Sequence, residues 1–457
     1  MFKRILVANR GEIAVRLIQV IHELGASAVA VYSEADASAL HVQLADAAVC
    51  IGPAKASDSY LHMQNILSAA VLTGAEAIHP GFGFLAESAD FAELCAQAGV
   101  VFIGPKAQVI RRLGDKAQAR TLVQELEVPV IPGSEVVTTL DAALAAAATL
   151  GYPVMLKAAA GGGGKGIRQV TSAALLTEAW PLAQTEATAA FGEAGMYLEK
   201  VLVGAKHLEV QVLADRQGAV WTLPERDCSL QHHKQKLLEV SPCLSCTPQT
   251  RARLQALAER IASGSAYENA GTVEFLVTPD EQVYFMEMNT RIQVEHPVSE
   301  MVTGLDLLAT QITVAAGQPL PNGTRRWAPN GVAIECRVNA EAPTQDFAPQ
   351  TGTVTRLEWP LGGAGVRVDR GLRVGDTITP YYDAMLAKLI VHAATPALAW
   401  AKMARVLAEL EITGVQTNQR FQQGLVQDAT IQQGHAAIDY VDRVFIPDWQ
   451  QKEAASC

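Results

Sequence analysis

The chain has 457 residues, 49% of them apolar and 18% charged, and a formal net charge of −11. That length suggests roughly two to four domains around large buried cores. The acidic balance argues against a nucleic-acid partner, which needs a basic face, and against an anionic membrane surface as the main partner.

The N-terminal stretch MFKRILVANRG holds only a short apolar run, Ile5 to Ala8, too brief for a signal peptide. No stretch reaches the roughly 18 apolar residues of a membrane span, so a cytoplasmic protein is expected. Seven scattered cysteines fit free thiols in a reducing compartment. Cys243 and Cys246 form the only CxxC; without a second pair or a nearby His cluster they read as incidental thiols rather than a zinc site.

Residues 2–9 read as a buried strand. Ile13, Leu17, Ile21 and Leu24 recur at helical spacing, Gly25 suits the stop, and a second apolar strand follows at 28–32. This β-α-β start implies a parallel, doubly wound layer. Its first turn, Asn9-Arg10-Gly11-Glu12, lacks GxGxxG, which argues against nicotinamide or flavin binding. IHPG (78–81) and VVFIG (100–104) look like later strand ends, and the first domain is expected to close near 114. An Ala-rich helix is expected over 139–150, with Asp141 in its first turn, then a strand in GYPVMLK (151–157). From 196 to 289 the pattern is mostly strands, with one helix at about 249–263. Strands resume from 331, and an amphipathic helix follows near 396–411.

KAAAGGGGKGI (157–167) satisfies GxGxxG only as any glycine run does. The Rossmann motif needs a helix next, and IRQV reads as a strand; a P-loop needs Gly at 159 and Ser or Thr at 166, where the chain has Ala159 and Gly166. What remains is a strand–loop–strand hairpin flanked by lysines, whose uncovered N–H groups can approach phosphate oxygens and whose glycines permit a hinged lid.

MEMNTRIQVEHP (286–297) alternates: Glu287, Asn289, Arg291, Gln293 and Glu295 on one set of positions, with Met288, Thr290, Ile292 and Val294 between. A period of two predicts a strand with one polar face. Upstream, TVEFLV and QVYFME flank a turn, and a symmetric register sets Glu274 opposite Glu287. Like charges so placed destabilise a sheet unless a cation lies between them. Magnesium takes hard oxygen ligands of this kind, and Asn289 offers a third oxygen. Arg291 and Glu295 then lie beyond the metal, where a small anion could react. QHHKQKLLE (231–239) packs His232, His233, Lys234 and Lys236 into a candidate anion clamp.

Together with KRILVANRGEIAVR, AIHPGFGFLAE, HLEVQVLAD, ERDCSLQ, ECRVNAE and PYYDAMLAKLI, these motifs give a chain that resembles, over nearly its whole length, the biotin carboxylase subunits of bacterial acetyl-CoA carboxylases, within the ATP-grasp superfamily. The resemblance implies a Rossmann-like N-terminal (pre-ATP-grasp) domain at 1–114, an ATP-grasp domain at 115–329 with a mobile lid at about 130–203, and a mixed β C-terminal domain at 330–446. It implies ATP, Mg2+ (or Mn2+) and bicarbonate as reactants, with biotin as the substrate on a carrier protein. Lys116 and Lys157 would reach the phosphates and Gly163 and Gly164 close over them. Glu199, Lys200, Leu202, His207, Gln231 and Lys234 would complete the ATP site, and Glu274, Glu287 and Asn289 would hold the metal. Lys236, Arg291, Gln293 and Val294 would bind bicarbonate, Glu295 would be the general base, and Arg337, with Phe82 nearby, would serve the biotin side. Phe82 stands where the family commonly has Tyr, Lys234 where a His is usual, Val240 where an acid is usual and Ala160 where a lid glycine is usual.

No biotinylation motif of the AMKM kind occurs, so biotin is expected on a separate carrier, with a two-chain (alpha and beta) carboxyltransferase as further partner. The resemblance also suggests a homodimer. Three other readings remain open: the biotin carboxylase of another acyl-CoA or pyruvate carboxylase, a carboxylate–amine ligase of the same superfamily, and an inactive scaffold.

Overall fold

A computed structural model of the protein describes residues 1–158, 168–191 and 195–456. The expected glycine loop, with Ala160, Gly163 and Gly164, falls outside the described residues. The chain divides into two compact units: Met1–Glu127, Lys206–Phe275 and Glu287–Cys457 form one, and Val128–Ala205 with Leu276–Met286 the other.

The first unit opens with a five-stranded parallel sheet in the order Ala47–Gly52, Ser27–Ser33, Arg4–Val7, Ala77–His79, Val101–Phe102. The helix Gly11–Glu23 buries Ile13, Leu17 and Ile21, and Gly25, at φ +75°, stops it by donating its N–H to the His22 carbonyl. Strand order reverses at Arg4–Val7, and in such sheets the crevice beyond the strands' carboxyl ends is where ligands bind. The turn at this point is tied down. Asn9 Nδ2 donates to the carbonyls of Pro80 and Phe82 at 2.7 Å each, and Arg10 forks onto Asp36 at 2.7 and 2.9 Å.

Two histidines in this sheet region are fully enclosed. Burial pushes His41 down to about 4, against the Asp36 charge, and His79 down to about 3. Both are neutral in the fold but protonate near pH 6.5 once unfolded. The unfolded chain therefore binds more protons between pH 6.5 and the folded values. Stability falls as pH drops through that window, by on the order of 3 kcal/mol for His41 by pH 4. Urea midpoints measured between pH 7 and 4 check this; His41→Gln flattens the slope.

The rest of the first unit is built on a long sheet, whose first two strands also include residues assigned to the second unit. Its strand order is Val283–Asn289, Asn269–Val277, Lys206–Ala214, Arg226–His232, Gln235–Ser241, Val332–Asn339, Met385–Ala393, Val366–Arg370. The pairings from Lys206–Ala214 onward are antiparallel. The helices Pro396–Glu409 and Gln419–Gln427 bury Trp400, Met403, Phe421 and Leu425 in a core shared with Ile334, Val338, Leu389 and Val391 of the sheet. The helix His296–Thr303 packs Val298 and Val302 against Ala333 and Ile390.

The second unit has a three-stranded antiparallel sheet with Val154–Ala158 between Arg168–Val170 and Met196–Lys200. The helices Leu140–Leu150 and Ala173–Phe191 bury Ala143, Ala147, Leu176 and Ala183 with Leu156 and Leu198 of the sheet. Among the described residues of both units, no helix is long and apolar enough to cross a membrane.

The expected strand over 286–297 is corrected. The strand stops at Asn289, Arg291 to Glu295 form a loop, and His296–Thr303 is a helix with Pro297 in its first turn. The chain leaves the sheet because Glu87 captures it, accepting from the Thr290 N–H at 3.2 Å and from Arg291 Nε at 3.0 Å. Pro297 has no N–H for a ladder but suits a helix start. The five polar residues therefore do not share one strand face.

Candidate active site

Six charged side chains with little or no exposure form an alternating row inside the first unit. Arg226 lies directly across from Glu209 on the neighbouring strand, Nε to Oε1 at 2.6 Å, and neither has any exposure. Lys236 Nζ then bridges Glu209 Oε2 at 2.6 Å and Glu295 Oε1 at 2.5 Å, with Glu274 Oε1 at 3.2 Å. Arg337 links the other Glu295 oxygen, at 2.9 Å, to Glu239, at 2.7 Å from its Nε.

Two sequence-level details make this possible. The hairpin Arg226–His232/Gln235–Ser241 pairs Gln231 with Lys236 but Leu230 with Leu238, so one extra residue is bulged into the second strand. A bulge shifts the alternation by one. Lys236 and Glu239, three apart, thereby reach the same cluster. The loop after Asn289 then lays Gln293 and Glu295 against it. Gln293 accepts from Arg226 Nη2 at 2.6 Å and donates to Glu274 and Asn289 at 2.7 Å each.

The electrostatics follow from burial set against these partners. Burial alone would raise Glu295, yet Lys236, Arg337 and Arg226 hold its carboxyl well below the ordinary range. Burial alone would lower Lys236; the carboxylates around it hold it well above its ordinary value. Glu239 is pushed up to about 7 by burial, against the opposing charge of Arg337. Glu335 faces Glu239 across the strands and is raised well above its usual value, first by burial.

Glu274 and Glu287 are near enough to interact. Burial raises Glu287, the Glu274 charge raises it further, and Lys116 opposes. Glu274 is held low: burial raises it, but Lys236 and His207 outweigh that. His207 Nδ1 sits 2.7 Å from Gln231 Nε2, an amide that can only donate, so its Nε2 carries the proton and faces Glu274 Oε2 at 3.1 Å. Asn289 turns its amide nitrogen to Glu287 at 3.2 Å and its oxygen to Gln293. Of this pair, Glu287 is thus the carboxylate less compensated by protein cations. This all-oxygen set fits a hard divalent ion that also binds phosphate.

The remaining expected site residues are distributed as follows. Arg291 is held by Glu87 and reaches Asn289 Oδ1 at 3.4 Å. The Val294 carbonyl accepts from Lys388 Nζ at 2.9 Å; Lys388 is fully enclosed and also lies 3.1 Å from Glu12 of the first helix. Phe82 is half-buried, with its ring 5.9 Å from Lys388 Nζ. Lys157, Glu199, Lys200 and Leu202 belong to the second unit. There Lys157 pairs with Glu199, and Lys200 donates to the carbonyls of Gly151 and Tyr152 at 2.7 and 3.1 Å.

The expected anion clamp is corrected. Of its four residues only Lys236 joins the carboxylate row. His233 and Lys234, both at positive φ, make the tight turn of the hairpin, and His232 faces Asp442 and Asp346 instead. Sequence reasoning assigns no role to Arg226, Glu239, Glu87 or Lys388.

Family models match almost the whole chain in three blocks: biotin carboxylase N-terminal domain at residues 1–110, carbamoyl-phosphate synthase L chain ATP-binding domain at 115–323, and biotin carboxylase C-terminal domain at 335–443. Biotin carboxylase 1 of Bacillus subtilis is 49% identical over 444 residues, 97% of this chain and 98% of that protein. The chain belongs to the biotin carboxylase family.

Solved biotin carboxylases superpose closely. The Campylobacter jejuni enzyme, in a complex named for β,γ-ATP, gives a TM-score of 0.92 at 43% identity, covering 97% of this chain and 99% of that one. The biotin carboxylase domain dimer of Hydrogenobacter thermophilus 2-oxoglutarate carboxylase, in complex with MgADP, ADP and bicarbonate, gives 0.91 at 45% identity, covering 97% of each chain. This biotin carboxylase is therefore an ATP-dependent ligase on a mixed α/β scaffold, with a parallel N-terminal sheet and an antiparallel sheet carrying the charged row.

Proposed function

We propose that this biotin carboxylase transfers a carboxyl group from bicarbonate to biotin held on a separate carrier protein, at the expense of ATP, as the first half-reaction of an acetyl-CoA carboxylase making malonyl-CoA for fatty acid synthesis. The observation that carries the chemistry is Glu295 held between Lys236 and Arg337. A carboxylate so compensated is a weak base on its own. An anion that settles beside the same two cations takes over their compensation, and Glu295 can then accept that anion's proton without net loss of charge balance.

The assignment of parts is this. Lys236, Arg291, Gln293 and the Val294 backbone hold bicarbonate; Glu295 takes its proton as its oxygen attacks the γ-phosphate. Glu274, Glu287 and Asn289 hold Mg2+ or Mn2+, which offsets phosphate charge when bound. Lys116, Lys157, Gly163, Gly164, Glu199, Lys200, Leu202, His207, Gln231 and Lys234 serve the nucleotide. Carboxyphosphate gives CO₂ and phosphate, phosphate removes the N1′ proton of biotin, and Arg337 stabilises the resulting enolate, with Phe82 beside it. The chain works as a cytoplasmic homodimer with a carrier and a two-chain carboxyltransferase.

The test is phosphate release from ATP with free biotin. Hydrolysis should require bicarbonate and Mg2+, rise on adding biotin, and vanish with excess chelator. Bicarbonate-dependent release indifferent to biotin would instead favour a carboxylate–amine ligase. A second reading has its own support, since similar proteins include components of a 2-oxoglutarate carboxylase and of a pyruvate carboxylase. Reconstitution with the carrier and transferase from neighbouring genes distinguishes them: malonyl-CoA formation supports the acetyl-CoA role, and carboxylation of a 2-oxoacid the other.

A further inference from the structure

The tip of the hairpin Arg226–His232/Gln235–Ser241 is left unexplained by the reaction. His232 pairs with Gln235 across the strands, so His233 and Lys234 alone make the turn. Both have positive φ, 48° and 66°, which is the backbone of the tightest hairpin turns. That curl brings two adjacent imidazoles together: the His232 and His233 rings stack with centroids 3.8 Å apart. Asp346 approaches from the loop after Pro343–Gln345, its Oδ1 3.5 Å from His232 Nε2 and 3.9 Å from His233 Nε2.

We propose that His232, His233 and Asp346 form a binding site for a divalent transition-metal ion of the zinc class, separate from the nucleotide's magnesium site. Ligand atoms from the three side chains lie within 4.8 Å of one another. A tetrahedral ion with bonds of about 2.0 Å sets its ligand atoms about 3.3 Å apart, so a closure of up to about 1.5 Å completes the site. The side chains that must move are free to do so, since those of His233 and Asp346 are 63% and 79% exposed.

The outer contacts point the same way. His232 Nδ1 is 2.6 Å from Asp442 Oδ1, a carboxylate that can only accept, so Nδ1 carries the proton. A carboxylate on one ring nitrogen that frees the other for a metal is the arrangement that orients ligating histidines generally. His232 is 9% exposed, and its Nε2 is buried without a hydrogen bond of ordinary geometry. This Nε2 faces Asp346 and lies near the second imidazole, where an ion can take the place of its proton. Imidazole and carboxylate favour zinc, cobalt or nickel over magnesium. The exposed side leaves a fourth position for water.

Such an ion would cross-link the hairpin that carries Lys236 to the loop carrying Asp346. The test uses the full chain, stripped with chelator and free of nucleotide, titrated with Co2+ and then Zn2+. We expect one equivalent of Co2+ with visible bands of nitrogen–oxygen coordination and no thiolate charge-transfer band, displaced by Zn2+. His233→Ala and Asp346→Ala, both exposed positions, should abolish the signal. Asp442→Asn should weaken binding by about ten- to a hundred-fold. The proposal is overturned if Co2+ uptake is absent, if it survives His233→Ala, or if its spectrum reports thiolate ligation. Calorimetry of the same titrations reads binding independently of catalysis.

Discussion

Glu295→Gln should lower biotin-stimulated phosphate release by about 100- to 10,000-fold, the range a general base supplies. Two effects combine. The amide cannot take up the bicarbonate proton. It also offers only one acceptor oxygen where the carboxylate offers two, and both are engaged, one with Lys236 at 2.5 Å and one with Arg337 at 2.9 Å. Either Lys236 or Arg337 is then left facing an N–H donor. The expected pattern is a collapse of kcat with nucleotide affinity preserved, because Glu274 and Glu287 are untouched. Because Glu295 is held well below the ordinary carboxylate range before bicarbonate arrives, the wild-type kcat/KM profile, which reports the free enzyme, should show no acid limb from this group near neutrality. Retention of more than about one-tenth of wild-type turnover would remove Glu295 from the role of base.

Arg226→Met should destabilise the first unit by about 3–5 kcal/mol, the cost of removing one partner from an enclosed ion pair. Arg226 has no exposure and spends its whole fork: on Glu209 at 2.6 Å, Gln211 and Ser299 at 3.0 Å, Thr272 at 3.1 Å and Gln293 at 2.6 Å. Methionine fills much of the volume but strands those acceptors and leaves one side of Glu209 uncompensated. Arg226→Lys keeps the charge and loses the planar fork, so it should fall between the two. Urea unfolding followed by tryptophan fluorescence reads the shift in midpoint. Because Gln293 loses its anchor, the bicarbonate KM of any folded variant should also rise. A midpoint unmoved by Arg226→Met would refute this account of the row.

The fold was legible where a single periodicity ruled a segment. Ile13, Leu17 and Ile21 gave the first helix, and alternate apolar residues gave the strands from Met196 to Val277. It failed where a local capture overrode the pattern. Arg291 to Val294 alternate as a strand should, but Glu87, some two hundred residues upstream, takes the Thr290 N–H out of the ladder. The helix Ala173–Phe191 went unread because Pro181 interrupts it and its alanines and threonines blur the apolar stripe. At the site, Glu274, Lys236 and Glu295 could be picked out from their motifs. Their convergence depends on the bulge between Leu230 and Gln231, which strict alternation cannot foresee. Arg226 was hidden for another reason: a buried arginine is exceptional, and nothing local in ERDC says that Glu209 will lie opposite.

Taken end to end, Arg226, Glu209, Lys236, Glu295, Arg337 and Glu239 alternate plus and minus, three of each, when Glu239 is ionised. Such a row has a parity. Losing one inner member strands a charge in a medium that cannot solvate it, whereas losing two neighbours of opposite sign leaves the count even. Sequence drift through this region is therefore easier in coupled steps than in single ones, and the row can lengthen or shorten only by pairs.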